Sequence, residues 1–406
     1  MFTLFALLAV HFCAATGLVY GIDRLALIPW RKAPGAHWAE RARLLWPARI
    51  TSATLFFAAP ISLGAAQASF FPTLPLTYLY AALAGIAGAV LGSWPMTKAM
   101  FPELLFGDWA RSALTAFVIR LMTLGVLIAA GICMPEHLNQ AAIVLTVTVV
   151  AFTLWLIWGG MLWLLRVARV LVAAPPRLAG IVTNVAAQMN LPLPHAGLLR
   201  GYGANAIAFP VTHTLLVTER ALNSLSDDEL AAVCAHEFAH LNEPRGVILA
   251  RILSAFVLLP GIFFKPAIEA WQTAGYLGIC VALFLFPRLT TAFRRRMEAR
   301  ADSVALVHEG PSPGTYARAL EQLYALNHSP AVLRGRLTHP NLYDRLLAAG
   351  VTPEYPRPAA PPRLTWHYGM VLLLLAASGF GIFCRIELDR QKESDAAQTG
   401  EEEDAK

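Results

Sequence analysis

Long apolar runs separated by short polar loops dominate the chain. A helix needs about 20 apolar residues to cross the hydrocarbon core of a bilayer, and eight runs approach that length. Five precede residue 173, two short ones form a candidate hairpin, and one lies near the C-terminus. The predicted spans are residues 2–20, 50–70, 76–94, 114–133, 141–165, 249–264, 271–286 and 368–384. This pattern predicts a mainly α-helical, polytopic membrane protein.

The composition agrees with a lipid-covered surface. Of the 406 residues, 57% are hydrophobic and only 14% are charged, whereas an average soluble domain is about a quarter charged. Whole-chain disorder, collagen and coiled coil are therefore excluded. The net charge of +6 is spread over loops without an interleaved aromatic groove, so we expect a lipid bilayer as a partner and no nucleic acid.

Lysine and arginine in the loops predict the orientation of the spans. The loops 21–49 and 95–113 and the segments after spans five and seven contain basic residues, whereas the loops 71–75 and 134–140 contain none. The positive-inside rule then places the N-terminus outside and everything between spans five and six inside. The first run has neither a preceding basic residue nor a clear cleavage site, so we expect it to be retained. The sequence predicts a multi-pass integral membrane protein.

The most informative polar segment is a helix predicted over residues 226–241. Ser226 and Glu229 have the spacing of a capping box at its start. His236 and His240 follow, four residues apart, so their rings project from one face of the helix, one turn apart. This spacing allows both imidazoles to bind one Zn²⁺.

Glu237 lies beside the first histidine and completes the pattern HExxH, in which the glutamate acts as general base. On a helical wheel, Glu237 falls inside an apolar arc. That arc consists of Leu230, Val233, Cys234, Phe238 and Leu241. Because burying an unpaired charge is costly, a carboxylate there needs a reason, and proton transfer from a water at the metal supplies one. The alternative is a chance match on a surface helix.

A zinc hydrolase needs a third protein ligand and an open fourth position. Glu298 and Asp302 are also four residues apart, so one helix face presents both. Glu298 can bind the metal, and Asp302 can accept the N–H of a ligating histidine and thereby fix its tautomer. The alternative is an ordinary charged helix in which both carboxylates pair with neighbouring arginines.

The order of these features resembles a known family. HExxH at residues 236–240, a hydrophobic hairpin, and then Glu298 with Asp302 resemble the membrane gluzincin peptidases that include HtpX and the CAAX prenyl endopeptidases. Residues 203–209 are similar to the Asn-Ala edge-strand segment of that family. Residues 338–345 are similar to its Thr-His-Pro…Arg segment.

The resemblance implies further site residues. Asn205 and Ala206 would hold the substrate backbone, which in physical terms is strand addition at an exposed sheet edge. His339 would lie near the metal and donate to the developing oxyanion. Arg345 would orient a carboxylate or a substrate carbonyl. The alternation of residues 204–209 and 214–218 predicts two strands. The alternatives to the implied roles are a plain structural hairpin formed by these strands and an ordinary turn at Thr-His-Pro-Asn.

The fold expected is a polytopic α-helical protein with a small α+β zinc-metallopeptidase domain that is split around a transmembrane hairpin. The predicted parts are five transmembrane helices (1–172), the first half of the peptidase domain (173–248), the hairpin (249–289), the second half (290–352), a Pro-rich linker (353–366), a C-terminal transmembrane helix (367–385) and a disordered acidic tail (386–406).

The sequence thus predicts a membrane-embedded zinc metalloendopeptidase with one Zn²⁺ per chain and its site on the cytoplasmic side. Its substrates would be membrane-associated or misfolded proteins, or prenylated-type peptides. Five spans before HExxH are similar to the prenyl endopeptidase layout, whereas the local motifs are similar to the bacterial members, so the resemblance leaves the substrate class open. The similarity to the bacterial members places the expected protein in a bacterial inner membrane. The alternatives are a zinc-binding sensor or scaffold without peptidase activity and, from the number of spans and the intramembrane residues Arg120 and His11, a transporter.

Overall fold

The computed structural model describes residues 2–70, 77–309, 312–335 and 340–381, together with residues 384, 388 and 391. The predicted loop 71–75 and almost all of the predicted acidic tail lie outside the described residues. The chain forms two compact units, Met1–Leu104 with Ala359–Lys406, and Leu105–Pro358.

The first unit is helical and is packed through small residues. An added Cβ at Gly88 or Gly92 would collide with the backbone carbonyls of Phe12 or Thr16, so glycine permits the close approach of two helices, as is common in membranes. The helices of this unit are α1 (Phe2–Ala26), α2 (Ile28–Arg31), α3 (Trp38–Phe70), α4 (Thr77–Met100) and a C-terminal apolar helix, α15 (Trp366–Gly381).

The second unit combines long helices with a small sheet. Its helices are α5 (Phe106–Cys133), α6 (Gln140–Trp155), α7 (Met161–Val167), α8 (Pro176–Gln188), α9 (Glu219–Ser224), α10 (Asp227–Leu241), α11 (Arg245–Ser254), α12 (Phe264–Val307), α13 (Thr315–Leu326) and α14 (Leu342–Ala348). Short helical turns occupy Leu156–Gly160, Pro210–Thr212 and Leu259–Phe263.

Four helical segments of the described chain are long and apolar enough to cross a membrane: Leu4–Ala26, Trp38–Gln67, Gln140–Val167 and Arg245–Phe286. They overlap predicted spans one, two and five and the predicted hairpin. Span three overlaps α4, span four falls within α5, and span eight overlaps the shorter α15. This mostly helical architecture with a small mixed sheet is compatible with a polytopic membrane protein, and the count of eight spans stays a prediction.

The sheet contains four strands in the order β1-β2-β4-β3. They are β1 (Leu171–Ala173), β2 (His195–Leu199), β3 (Ala206–Phe209) and β4 (Thr214–Thr218). β4 is buried along its whole length and pairs in parallel with β2 and antiparallel with β3. The strand pair predicted from the alternating pattern is therefore confirmed, and β3 is an edge strand.

Helices α8 and α10 cover the sheet with their apolar faces. Leu178 of α8, Leu215 of β4 and Leu230 and Phe238 of α10 are fully buried in one cluster, which Leu323 of α13 joins. Truncation of a buried phenylalanine costs about 3–5 kcal/mol, so Phe238 contributes strongly to fixing the orientation of α10.

In the predicted hairpin, the helices end and reverse at other residues than the apolar pattern predicts. The first helix ends at Ser254 instead of continuing to residue 264, and the chain continues through turns whose N–H groups bond to carbonyls three residues earlier, up to the short helical turn that contains Pro260. α12 contains a non-helical residue, Gln272, with φ 48°. An added Cβ at Gly275 would coincide with the carbonyl of Ala267. Residues eight apart in a straight helix are about 12 Å apart, so the chain folds back at Gln272.

Candidate metal centre

Helix α10 begins as the sequence predicts. The Ser226 hydroxyl accepts the Glu229 N–H at 3.3 Å, and the Glu229 carboxylate accepts the Ser226 N–H at 2.9 Å. This capping box satisfies backbone donors that the first turn leaves free. With its start fixed and its apolar face in the core, α10 presents His236 and His240 from one side, and both imidazoles are buried.

Glu298 of α12 meets the two histidines of α10. Its Oε2 atom lies 3.6 Å from Nε2 of His236 and 3.6 Å from Nε2 of His240. One ligand atom from each of the three residues lies within 4.8 Å of the others. A tetrahedral zinc ion with bonds of 2.0–2.1 Å places its donors about 3.3 Å apart. Both nitrogen–oxygen distances of 3.6 Å are thus within a few tenths of an ångström of the spacing that Zn²⁺ requires.

Two side chains approach the other ring nitrogen of His236, and Arg345 binds both of them. Nδ1 lies 2.7 Å from the hydroxyl of Tyr316 and 3.2 Å from Oδ1 of Asp302. The Tyr316 hydroxyl donates to Asp302 at 2.7 Å, and Arg345 donates to both oxygens of Asp302, at 2.9 and 2.5 Å. The structure thus brings Asp302 and Arg345 together beside His236.

Glu243 takes the corresponding place at His240. Its Oε1 lies 2.9 Å from Nδ1 of His240, and its side chain is only 2% exposed. Arg251 donates to both of its oxygens at 2.5 Å. The sequence reasoning did not identify Glu243, although its position three residues after His240 is a usable signal. The apolar pattern places Arg251 inside a predicted membrane span, whereas in the structure Arg251 binds Glu243 beside His240.

These contacts shift the pKa values of the histidines and of the carboxylates that support them. Burial alone would lower the pKa of His240, but its bonds to Glu243 and Glu298 raise that pKa to about 9 in the metal-free protein. Burial would raise the pKa of Asp302, but His236 and Arg345 lower it to about 2. The pKa of Glu243 is likewise lowered by His240 and Arg251 against the effect of burial. Each supporting carboxylate is therefore ionised at neutral pH.

A cavity of about 990 Å³ opens at the three donor atoms. Glu237 is half-buried and lines this cavity together with Val233. The apolar arc of the helical wheel is buried as predicted. Glu237 itself lies in the wall of the cavity and not in the core, because the cavity begins at that edge of the arc.

The edge strand β3 forms another wall of the same cavity. The backbone groups of Asn205 face the neighbouring strand β4. Its carbonyl accepts the Thr218 N–H at 2.9 Å, and its N–H donates to the Thr218 hydroxyl at 2.8 Å. In an antiparallel pair the backbone groups alternate in direction. The N–H and C=O groups of Ala206 and Ala208 therefore point to the open edge.

The side chain of Asn327 occupies the backbone groups of Ala204, just before the open edge of β3. Its side-chain amide accepts the N–H of Ala204 at 2.8 Å and donates to the carbonyl of Ala204 at 2.6 Å. Sequence reasoning missed Asn327 and Tyr316, because neither belongs to a pattern and both reach the site only through the tertiary fold. The predicted oxyanion donor His339 lies outside the described residues.

Comparison with known proteins agrees with this geometry. Residues 173–350 match the profile of peptidase family M48. The chain is 30% identical over 169 residues to a Protease HtpX homolog of Methanothermobacter thermautotrophicus, which covers 40% of this chain and 64% of that relative. It is 30% identical over 167 residues to the homolog of Nostoc punctiforme, with 37% and 57% covered, and 29% identical over 175 residues to that of Syntrophobacter fumaroxidans, with 38% and 61% covered.

The chain thus spans about three fifths of the length of these curated relatives. The matched residues include both histidines of α10, Glu298 and the supporting side chains described above. Residues 173–350 are therefore similar to peptidase family M48, and the chain resembles proteins named Protease HtpX homolog.

Proposed function

We propose that the protein is a zinc-dependent, membrane-embedded endopeptidase with one Zn²⁺ per chain. The observation that supports this most directly is the convergence of His236, His240 and Glu298 beside Glu237 in one cavity. The three donors match the ligand set of a catalytic zinc site, which keeps a fourth position open. A structural zinc site closes with four protein ligands and needs no cavity, so the sensor or scaffold function is less well supported.

The residues divide the chemistry between them. His236, His240 and Glu298 would hold the zinc ion, which when bound polarises a scissile carbonyl and lowers the pKa of a water molecule toward about 7. Glu237 takes the proton from the attacking water and passes it to the leaving amine. Asp302 and Glu243 orient the two imidazoles through their Nδ1 atoms. His339 is proposed to donate to the oxyanion.

The substrate is proposed to bind as an extended strand along β3. Ala206 and Ala208 turn their backbone groups to the open edge, so they can pair with a peptide backbone of any sequence. Both side chains are small and leave room for the peptide. Because the Asn327 amide already occupies the backbone groups of Ala204, the strand addition is limited to residues 206–209. This arrangement favours unfolded or extended segments of membrane-associated proteins.

The same proposal includes the arrangement of the chain. The segments 173–248 and 290–352 would form two halves of one peptidase domain around an apolar hairpin, on the cytoplasmic side of the membrane. The five preceding spans and α15 would anchor the domain in the bilayer. Cross-linking of single cysteines with membrane-impermeant reagents in inside-out and right-side-out vesicles tests the predicted side.

The decisive test replaces the general base. Glu237→Gln should keep zinc and lose cleavage of casein or a model peptide by about 10²–10⁴-fold, the usual contribution of general acid–base catalysis. Glu229→Gln on the same helix is the matched control, because glutamine also completes a capping box. Peptidase activity retained in purified Glu237→Gln would remove Glu237 from the mechanism. Zinc-loaded wild-type protein that cleaves no peptide would remove the proposed function.

A further inference from the structure

The hydroxyl of Tyr316 forms three hydrogen bonds at once. It lies 2.7 Å from Nδ1 of His236, 2.7 Å from Oδ1 of Asp302 and 2.9 Å from a terminal nitrogen of Arg345. The Tyr316 residue is only 2% exposed, so water does not provide alternative partners. The phenol ring lies nearly parallel to the imidazole of His236, at 20° between the planes and 5.7 Å between the centroids.

The donors and acceptors of this cluster leave one consistent assignment. A guanidinium has only donors, so Tyr316 accepts from Arg345. Both oxygens of Asp302 accept from Arg345, so Tyr316 donates its single proton to Asp302. The remaining lone pair of the hydroxyl can only accept, and Nδ1 of His236 must therefore hold a proton. A buried hydroxyl that makes one donated and two accepted bonds is fully satisfied.

This assignment determines the other side of the imidazole. In a neutral histidine with the proton on Nδ1, the lone pair is on Nε2. Nε2 of His236 is the atom that faces Oε2 of Glu298 at 3.6 Å. We propose that Tyr316 is a positioning residue that holds His236 in the tautomer and ring orientation required for zinc. This inference rests on the proposed zinc site.

The backbone of Tyr316 is held independently of its hydroxyl. The Glu309 carboxylate accepts the N–H of Gly314 at 2.9 Å and the N–H of Tyr316 at 3.0 Å. Gly314 has φ 80°, and an added Cβ would lie 2.9 Å from a methyl group of Val351, so only glycine fits there. The start of α13 is thus fixed by its own contacts, and removal of the hydroxyl should leave the fold intact.

The test compares Tyr316→Phe with Tyr343→Phe in the purified full-length protein. Tyr343 is a half-buried tyrosine of α14, outside the cavity lining given above. The zinc dissociation constant, measured by competition with a chelator, should rise about 10–100-fold in Tyr316→Phe, as is typical when an orienting partner of a histidine ligand is lost. The absorption bands of the Co²⁺-substituted protein should shift, and Tyr343→Phe should change neither quantity.

An unchanged zinc dissociation constant and an unchanged Co²⁺ spectrum in folded Tyr316→Phe would overturn the proposal. If that variant fails to fold, 3-fluorotyrosine at position 316 changes the acidity of the hydroxyl with almost no change in shape. A shifted Co²⁺ spectrum then supports the role, and an identical spectrum refutes it. If wild-type protein binds zinc but cleaves no peptide, the proposed peptidase function is refuted, while the zinc dissociation constant and the Co²⁺ spectrum still test the role of Tyr316. Wild-type protein that binds no zinc refutes both proposals.

Discussion

The carboxylate of Glu243 lies 2.9 Å from Nδ1 of His240, on the side of the imidazole that faces away from Glu298. Arg251 donates to both oxygens of that carboxylate. Glu243 therefore holds His240 as the Asp302 cluster holds His236. Each histidine of α10 is supported by a carboxylate that is itself bound by a buried or half-buried arginine.

Replacement of Glu243 should weaken metal binding. Glu243→Ala removes the acceptor at Nδ1 and should raise the zinc dissociation constant about 10–100-fold, measured by chelator competition. Glu243→Gln keeps a neutral acceptor and should show a smaller rise. Equal zinc affinities for wild type and Glu243→Ala would show that His240 needs no such support.

Zinc binding should release protons at neutral pH. The pKa of His240 is raised to about 9, and that of His236 also lies above its usual value because Asp302 and Glu298 outweigh burial. His240 is thus protonated in metal-free protein at pH 7, whereas zinc requires both imidazoles neutral. Calorimetry in buffers with different ionisation enthalpies should give about one to two protons released per zinc. Zinc affinity should fall as the pH is lowered below about 9. Binding without proton release would contradict the raised pKa values.

Two Arg–Asp pairs at α14 differ in burial and should differ in their effect on stability. Arg345 pairs with Asp302 in a setting where the two side chains are 7% and 15% exposed, whereas Arg357 and Asp344 are 49% and 42% exposed. Arg345→Lys keeps the positive charge but loses the planar fork that binds both oxygens of Asp302 and the Tyr316 hydroxyl. A clear fall of the melting temperature is expected in detergent, and Arg357→Lys should change it little. Equal changes in the two variants would contradict this.

Asn327 should affect peptide binding and not zinc binding. Asn327→Leu removes both bonds to Ala204, which together contribute about 2 kcal/mol, and should loosen the edge strand. We expect KM for an extended peptide to rise several-fold while the zinc dissociation constant stays at the wild-type value. A lower zinc affinity with an unchanged KM would show instead that α13 acts on the metal site.

Local patterns in the sequence determine one part of this site well. The capping box at Ser226 and the four-residue spacings of His236 with His240 and of Glu298 with Asp302 are helix properties, and they predict which side chains share a face. The meeting of α10 with α12 is not a local property, and it is expected only because a zinc hydrolase needs a third ligand and because the order of the motifs resembles a known family. The mostly helical fold and the β3–β4 pair also follow from local patterns.

Other features of the site and of the fold depend on tertiary contacts, which the spacing of residues along one helix or strand does not predict. Tyr316 reaches His236 from 80 residues away along the chain, and one tyrosine on an amphipathic helix predicts only a core contact. Arg251 lies in an apolar run, so the pattern assigns it to a membrane span. The reversal at Gln272 depends on a left-handed backbone conformation, which hydropathy does not report.

The paired support of the two histidines has an electrostatic consequence. Among the described groups that bond to or face the imidazoles, four are carboxylates (Glu237, Glu243, Glu298 and Asp302) and two are guanidinium groups (Arg251 and Arg345). This leaves an excess of two negative charges, which one dication neutralises. Two imidazolium protons neutralise the same excess. At the proposed zinc site, exchange of two such protons for one dication would leave the total charge of the cluster almost unchanged. The site should then disfavour monovalent and trivalent ions by charge as well as by geometry.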